Sequence, residues 1–377
     1  MLNITKLWCG TAGSMDNLRY STTTHQKPVV VWNSTQRCNL RCIHCYANAE
    51  NKSYKNELTT AEAKTLIKDL GEFSVPVLLF SGGEPILRED LFELATLATG
   101  KGIRAVLSTN GTLITTKVAQ KLKAAGFSYV GVSLDGAEET NNKFRGGTNA
   151  YQAAIEGIRN CKKAGVKPGL RFTVTKYNVA DLPQIFELIE AEKIPRVCFY
   201  HLAYAGRGSS IVNDDLTHSQ TRAFMDYILA RAEKIHRSTE ILTVDNHADA
   251  AYLFLKLKRK SPSKAQSALE LLKLNRGNSS GTGIGCIDPQ GNVHPDQFWR
   301  HYTIGNIRQR KFSEIWTDNE PLLTALRNRR AHLKGKCQGC RFLEVCNGNL
   351  RLRAEAVYGD IWATDPACYL TEQEVGA

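Results

Sequence analysis

The chain has 377 residues, more than one ordinary hydrophobic core requires, so its length favours two domains. With 42% hydrophobic and 23% charged residues it has a globular composition, and no run of about 18 uninterrupted apolar residues predicts a membrane span. The net charge of +12 fits an ordinary basic surface or an anionic ligand, and no nucleic-acid-binding signature accompanies it. The N-terminal sequence lacks the basic start and apolar core of a secretion signal, which predicts a cytoplasmic protein.

Six short apolar segments alternate with helical segments from residue 27 to about 207. None of the six alternates cleanly between apolar and polar residues, as expected for strands buried on both faces of a sheet. The helical segment at 59–70 begins with Thr59 and Glu62 in the spacing of a capping box. Strand–helix alternation indicates a parallel α/β sheet, and six units favour an open, partial TIM-like (β/α)6 barrel over a closed barrel of eight strands. The predicted strands are 28–34, 75–81, 103–109, 129–134, 170–175 and 196–202.

The rest of the chain divides into an N-terminal extension, a helical linker and a cysteine-bearing domain. The linker is charged, has helical periodicity and ends in the loop-like sequence NRGNSSGTGIG. The predicted domains are 1–26 for the extension, 27–216 for the barrel, 217–285 for the linker and 286–377 for the C-terminal domain.

Seven of the eleven cysteines fall into two spaced groups, which indicates metal chemistry in a reducing compartment. The first group, Cys38, Cys42 and Cys45, follows the first predicted strand in the sequence RCNLRCIHCY. A [4Fe–4S] cluster has four irons, so three thiolates leave one iron open to a ligand that reacts. A zinc site that lacks one partner, or ordinary core cysteines, are the alternatives.

The order of the motifs resembles the radical S-adenosylmethionine (SAM) superfamily. The CxxxCxxC motif after the first strand is followed by SGGEP at 81–85, after the second. The resemblance implies a [4Fe–4S] cluster on the three cysteines, with the methionine amino and carboxylate groups of SAM on the open iron. It also implies that an electron from the cluster cleaves SAM to give a 5′-deoxyadenosyl radical.

Further residues match the superfamily at the ends of successive strands. Gly82 and Gly83 permit close backbone approach, and the resemblance implies that Glu84 accepts a hydrogen bond from the SAM amino group. It also implies that Arg171 pairs with the methionine carboxylate. A Gly-Gly turn or an acidic turn residue alone is weak evidence, but the matches occur together and in order. The remaining implied SAM contacts are His44 and Tyr46 for adenine, Ser108 and Asn110 after the third strand, and Ser133 and Asp135 for ribose.

The second cysteine group lies near the C-terminus, and four thiolates can saturate one cluster. A structural zinc is the alternative on spacing alone. The spacing resembles that of the SPASM-type domain of radical SAM enzymes, which implies an auxiliary [4Fe–4S] cluster in a SPASM- or twitch-like C-terminal domain. The predicted ligands are Cys337, Cys340, Cys346 and Cys368.

A full SPASM domain has three further cysteines for an inner cluster, and this sequence departs from that pattern. Cys286 stands at the first of these positions, whereas Asp296 and Leu350 occupy the positions expected for the others. We therefore predict one auxiliary cluster that does not use Cys286, and two [4Fe–4S] clusters in the whole chain.

Stretches outside these motifs resemble haem-biosynthesis radical SAM enzymes of the AhbC and NirJ type over nearly the whole chain. They are residues 6–20, 294–316 and 346–370. The AhbC type removes two acetate side chains from 12,18-didecarboxysiroheme to give Fe-coproporphyrin III in siroheme-dependent haem biosynthesis. The NirJ type removes propionates on the route to haem d1. A third type, which decarboxylates Fe-coproporphyrin III, tends to keep the fuller cysteine set. The departures at Asp296 and Leu350 therefore favour the first two types, with the deacetylase as the leading interpretation and the NirJ type as the alternative.

A multiply carboxylated iron tetrapyrrole should be bound by guanidinium groups beside aromatic rings. The stretch 298–310 combines such side chains, and the alternative interpretation is a solvated basic turn. His294 or His301 could also bind haem iron. No residue is assigned as a catalytic acid or base. The substrate-binding candidates are Arg19, Tyr20, His294, Arg300, His301, Arg308 and Arg310.

Two functions of other classes fit part of the sequence. A SPASM peptide-modifying maturase often carries an N-terminal peptide-binding module, whereas only the short extension 1–26 precedes the barrel here. A non-catalytic electron-transfer protein would not require SAM-binding loops. The predicted partners are the iron tetrapyrrole and an electron donor such as ferredoxin or flavodoxin, with no nucleic acid and no membrane.

Overall fold

The computed structural model describes residues 1–12, 19–20 and 27–376. The strands in these residues are short, and most of them are apolar. They are β1 (Leu2–Asn3), β2 (Val29–Thr35), β3 (Val77–Gly82), β4 (Arg104–Thr109), β5 (Tyr129–Ser133), β6 (Pro168–Val174), β7 (Arg196–His201), β8 (Glu240–Val244), β9 (Ile284–Ile287), β10 (Asn292–His294) and β11 (Gly305–Asn306).

Several helices begin with side-chain caps, and the capping box predicted at Thr59 and Glu62 is present. The helices are α1 (Ile4–Cys9), α2 (Thr60–Glu72), α3 (Leu91–Gly100), α4 (Thr116–Ala124), α5 (Glu138–Arg145), α6 (Ala150–Lys163), α7 (Leu182–Ala191), α8 (His218–Ile235), α9 (Ala248–Lys260), α10 (Pro262–Asn275), α11 (Phe312–Thr317), α12 (Pro321–Arg327), α13 (Leu343–Cys346), α14 (Arg351–Tyr358) and α15 (Glu372–Val375).

Strands β2 to β8 pair in parallel and in chain order, which makes a partial barrel of strand–helix units. At one edge β1 pairs with β8 in the antiparallel sense. At the other edge β9 pairs in parallel with β2, and β10 and β11 continue the sheet. The cysteine-bearing C-terminal region is therefore joined to the barrel through β9.

The six strands predicted from the sequence are all present, but the predicted helical linker at 217–285 contains a seventh parallel strand, β8. Glu240–Val244 is five residues long and lies between charged helices, so its apolar pattern is too short to separate from helical periodicity. The central strands are buried on both faces. Trp32, Phe80 and Phe172 are fully buried, and each such side chain contributes about 1.5–3 kcal/mol through burial.

The carboxyl ends of the parallel strands meet at one edge of the barrel, where α/β folds place their ligands. Among the helices of the described residues, none has both the length and the apolar character that crossing a bilayer requires.

Candidate active site

A cavity lies at the carboxyl ends of the parallel strands. Its volume is about 920 Å³ when the open solvent at its mouth is included. Most of the residues predicted to bind the cluster and SAM line it. They are Cys38, Cys42, His44, Cys45, Tyr46, Gly82, Gly83, Ser108, Asn110, Ser133 and Arg171.

The three cysteines of the first group border this cavity on the loop after β2. The backbone N–H of Leu40 lies 3.4 Å from Cys38 Sγ, and Arg145 Nη1 lies 3.6 Å from Cys42 Sγ. Burial raises the pKa of the Cys38 thiol to about 12. It also raises the pKa of Cys42, and the Arg145 charge opposes that rise. Because metal ligation requires thiolates, donors aimed at the sulfurs and a nearby cation fit an anionic cluster.

In the described residues, no three His, Cys, Asp or Glu side chains lie close enough together to hold a single metal ion. A cubane cluster does not require that convergence, because each thiolate binds a different iron.

Gly82 and Gly83 let the loop after β3 lie against the cysteine loop. A Cβ at residue 82 would come closer than 3.0 Å to Thr35 O, and one at residue 83 would come equally close to Arg37 O. The two loops are joined by hydrogen bonds from Gly83 N to Thr35 O, at 2.7 Å, and from Glu84 N to Arg37 O, at 2.8 Å. The glycines therefore fix the position of the cysteine loop.

Glu84 is fully buried, behind the residues that line the cavity. Its Oε1 accepts from Thr109 Oγ1 at 2.8 Å and from Ile86 N at 3.2 Å, and its Oε2 accepts from Asn110 N at 2.8 Å. Burial raises the pKa of this carboxyl to about 7, and the three hydrogen bonds oppose the rise. The structure thus places Glu84 where it holds the loop after β4 and, with it, Asn110.

Asp135 also lies behind the cavity wall and not on it. It forms an ion pair with Arg145, and Thr173 N donates to its Oδ1 at 2.5 Å. His44 stacks on Phe144 with 4.4 Å between ring centroids, and its Nε2 lies 3.7 Å from Asp135 Oδ2. Ser133 lines the cavity, while Asp135 positions Arg145.

Arg171 enters the cavity from β6. Its guanidinium lies over the Tyr200 ring, 4.5 Å from the centroid, and donates no hydrogen bond to a residue that the structure describes. Gly131, on the neighbouring strand β5, leaves the necessary room, because a Cβ there would come 2.7 Å from Arg171 Cδ. A guanidinium with unused donors suits a ligand carboxylate.

Tyr46 lines the cavity, but its hydroxyl is directed to the protein. It lies 2.9 Å from Asn33 Oδ1 and 3.1 Å from Ser81 Oγ, so the hydroxyl is already hydrogen-bonded within the protein. Asn33 also donates to the buried Cys286 Sγ at 3.6 Å, which places Cys286 beneath the cavity.

Several charged and polar side chains of the cavity are not among the site residues predicted from the sequence. They include Arg145, Tyr200, His201, Asp245 and Gln297. Tyr200 and His201 end a predicted strand, and that position is the signal that could have identified them. Arg145 and Gln297 carry no comparable local signal, because they come from α5 and from the loop after β10.

The second cysteine group converges between α12 and the C-terminus. Burial raises the pKa of Cys346, and the nearby thiols of Cys368, Cys337 and Cys340 raise it further, in that order. Burial likewise raises the pKa of Cys368 to about 11, against the charge of Lys336. Four mutually close thiols fit a site whose metal supplies the positive charge.

The positions of the missing SPASM cysteines are used in other ways. Asp296 is buried, and its carboxylate accepts from Ser280 Oγ at 2.5 Å, from Phe298 N at 2.8 Å and from Trp299 N at 3.1 Å. Leu350 packs in an apolar cluster with Trp299. Asp296 thus shapes the turn that carries Gln297 and Phe298 into the cavity.

The seven substrate candidates are not brought together. Arg308 pairs with Glu62 and Arg310 with Asp318, both away from the cavity. His294 is buried, with Nδ1 2.8 Å from Tyr302 O and Nε2 3.4 Å from Asp288 Oδ2, so it belongs to the core.

The other four candidates lie nearer to the barrel or at its edges. Arg300 donates to Ala47 O at 3.0 Å, beside the cysteine loop, and His301 Nε2 lies 3.1 Å from Glu355 Oε2 at the surface. Tyr20 is buried, and Arg19 lies between Met1 and Asn275. None of the seven lines the cavity in the described residues.

Two family models match the chain. The radical SAM superfamily model covers residues 32–189, and the model of the SPASM iron–sulfur cluster-binding domain covers residues 281–341. The chain is 55% identical to Fe-coproporphyrin III synthase of Methanosarcina barkeri, over 100% of this chain and 99% of that protein. It is 45% identical to pre-heme d1 synthase of Dinoroseobacter shibae, over 93% of this chain and 88% of that protein.

Among solved structures, SuiB of Streptococcus suis bound to S-adenosylmethionine superposes with a TM-score of 0.72 at 18% identity. The match covers 91% of this chain and 77% of SuiB, and at this identity it shows the fold alone.

Proposed function

Because the chain belongs to the radical SAM superfamily of enzymes, we propose that it removes two acetate side chains from 12,18-didecarboxysiroheme, giving Fe-coproporphyrin III in siroheme-dependent haem biosynthesis. The single observation that carries this proposal is 55% identity to Fe-coproporphyrin III synthase along the whole of both chains. The identity to pre-heme d1 synthase is 45% over slightly less of each chain, which keeps propionate removal as the second candidate.

The residues fit two [4Fe–4S] clusters and SAM. Cys38, Cys42 and Cys45 would hold the first cluster at the cavity wall, and the four C-terminal cysteines would hold the second. With SAM bound, the first cluster supplies a carbon-centred radical that abstracts hydrogen from the substrate. The SAM contacts proposed on the cavity wall are His44, Tyr46, Gly82, Gly83, Ser108, Asn110, Ser133 and Arg171, with Glu84 and Asp135 behind them.

The cavity also supplies what the substrate requires. Arg171 and Arg145 face into it, and Arg145 is held by Asp135 so that its charge remains beside Cys42. Phe298 and Tyr46 meet edge to face at 5.4 Å, which gives an aromatic wall on the side of the C-terminal region. Since Arg171 and Tyr46 are proposed for SAM, the Arg145 guanidinium and the Phe298 ring are the groups left to suit a flat ligand that carries carboxylates.

A hydrogen atom first leaves the ring carbon next to the one that bears the acetate arm. The carbon–carbon bond to the arm then breaks, and a double bond forms between the two ring carbons. The departing CH2COO⁻ fragment then needs one electron and one proton to become acetate. We place the enzyme in the cytoplasm, with a ferredoxin or flavodoxin as the electron source.

The experiment is an anaerobic reaction of the iron-loaded enzyme with reductant, SAM and 12,18-didecarboxysiroheme, followed by mass spectrometry of the tetrapyrrole. Loss of two acetate arms supports the proposal, and loss of propionate arms assigns the enzyme to the second candidate. A Cys42→Ala variant is the control and should leave the tetrapyrrole unchanged. If the unmodified chain cleaves SAM without forming any tetrapyrrole product, the assignment of the substrate is wrong. That result would favour a peptide maturase.

A further inference from the structure

His201 is a cavity residue with an unused ring nitrogen. It is the last residue of β7 and is 4% exposed. Its Nε2 lies 2.9 Å from Asp249 Oδ2, at the start of α9. Its Nδ1 is bonded to no residue that the structure describes, and the side chain lines the cavity. Because the carboxylate accepts a hydrogen bond from Nε2–H, the other nitrogen is left to serve a ligand.

Asp249 is itself held in place from its other side. It is fully buried, and its Oδ1 accepts from the Tyr369 hydroxyl at 2.7 Å. Tyr369 follows Cys368 and is also buried. The Phe224 ring meets His201 edge-on, with 5.9 Å between centroids. Contacts from α8, α9 and the C-terminal segment therefore fix the orientation of the imidazole.

A buried histidine bonded to a carboxylate is often only a structural link between elements. A purely structural role explains the hydrogen bond between His201 and Asp249. It does not explain why the other imidazole nitrogen faces a cavity that is open to solvent. A carboxylate that orients an imidazole and stabilises its protonated form, with the second nitrogen toward the reactants, is the arrangement of a general acid or base.

The charged and titratable groups around His201 come from several elements. Asp215, ahead of α8, accepts from Tyr204 at 2.8 Å, and Arg353 donates to Leu202 O at 3.1 Å while paired with Asp365. Arg171 and Asp245 face the same cavity. The Arg353 cation is balanced by Asp365, Asp215 lies near enough to interact with His201 electrostatically, and Asp249 is the carboxylate bonded to it.

We propose that His201 is the catalytic acid of arm removal, with Asp249 and Tyr369 as its positioning residues; this rests on the proposed function. When the bond between the ring carbon and the arm breaks, each fragment keeps one electron, and the ring electron enters the new double bond. The CH2COO⁻ fragment takes one electron from a low-potential iron–sulfur or flavin donor and one proton from His201 Nδ1, which gives acetate. The neutral imidazole regains a proton from solvent through the open mouth.

The test compares His201→Gln with the unmodified enzyme. Glutamine can keep a hydrogen bond to Asp249 but cannot act as the acid. We expect acetate formation to fall about a hundredfold while SAM cleavage continues, so that 5′-deoxyadenosine accumulates without matching acetate. Tetrapyrrole affinity, measured by absorbance titration of cluster-free protein, should stay within about threefold. The exposed His236, which contacts Glu233 O, provides the matched control His236→Gln, with no change expected in either quantity.

Asp249→Asn tests the same acid while His201 remains in place. It should alter the pH dependence of acetate formation more than it alters tetrapyrrole affinity, because the amide no longer stabilises the imidazolium. A His201→Gln enzyme that keeps the ratio of acetate to 5′-deoxyadenosine would overturn the inference. Equal loss of affinity and turnover would also overturn it, because it would show a structural role. If the unmodified enzyme removes no arm, the proposed function itself fails, and this result is distinct from the others.

Discussion

Gly83 lies so close to Arg37 that no side chain fits between them. A Cβ at residue 83 would overlap the Arg37 carbonyl, although the backbone dihedrals of Gly83 lie outside the left-handed region. The contact joins the loop after β3 to the loop that carries Cys38, Cys42 and Cys45. The exclusion of any side chain at residue 83 therefore determines where the first cysteine group can lie.

Gly83→Ala should destabilise the chain by roughly 1–3 kcal/mol, because backbone atoms of both loops must separate. It should also lose iron from the first cysteine group. Gly100→Ala is the matched control, since a Cβ there meets nothing within 4 Å, and it should be neutral or stabilising by about 0.5–1 kcal/mol. Urea unfolding and iron analysis measure both effects. Equal stabilities for the two variants would show that the loops are not held by this contact.

The iron content tests the number of clusters. Two [4Fe–4S] clusters give about eight irons per chain. Cys42→Ala should leave about four, on the C-terminal group, and Cys346→Ala should leave about four on the first group. Cys286→Ala should keep all eight, since this thiol is bonded to Asn33 beneath the cavity. A content near twelve in the unmodified chain would contradict the assignment.

Arg351 is a fully buried cation between the segments that carry Cys346 and Cys368. It donates to the carbonyls of Gly348, Ile361 and Ala363, and it forms no ion pair with a carboxylate of the described residues. Its charge opposes the burial that raises the pKa of Cys346. A buried cation without a carboxylate partner requires another anion, and a four-thiolate cluster is one.

Arg351→Gln should therefore lower the midpoint potential of the auxiliary cluster, because the reduced form carries the extra negative charge. A tenfold change in the reduction equilibrium corresponds to about 59 mV. Arg351→Lys keeps the charge and should stay closer to the unmodified potential. An EPR-monitored redox titration distinguishes them, and identical shifts in both variants would show that loop packing, not charge, sets the potential.

The buried carboxyl of Glu84 makes stability depend on pH. Burial raises its pKa from 4.5 to about 7, so between these values the folded state keeps a proton that the unfolded state has lost. Stability of the cluster-free protein should therefore fall as pH rises from about 5 to 7, by roughly 2 kcal/mol from this group. Glu84→Gln should flatten this part of the profile in urea unfolding. An unchanged slope would mean that the hydrogen bonds from Thr109, Ile86 and Asn110 keep Glu84 ionised.

The strands of the barrel and the order of its motifs could be predicted because both are local properties. Apolar segments bounded by turns identify β2 to β7, and Gly82 and Gly83 stand in the sequence directly after β3. Strand β8 was missed because five residues between charged helices give too short a pattern.

Contacts between distant residues could not be predicted in this way. The ion pair of Asp135 with Arg145 and the hydrogen bonds joining His201, Asp249 and Tyr369 depend on helices packing back on the sheet. For the same reason, Arg308 and Arg310 have the residue type expected at a substrate site but pair with Glu62 and Asp318 elsewhere.

The measurement that tests the central claim most directly is the amount of acetate released per tetrapyrrole, counted together with 5′-deoxyadenosine. The proposed function predicts two acetates and two 5′-deoxyadenosines for each 12,18-didecarboxysiroheme consumed. Release of three-carbon acids, or consumption of SAM with no acetate, would contradict it.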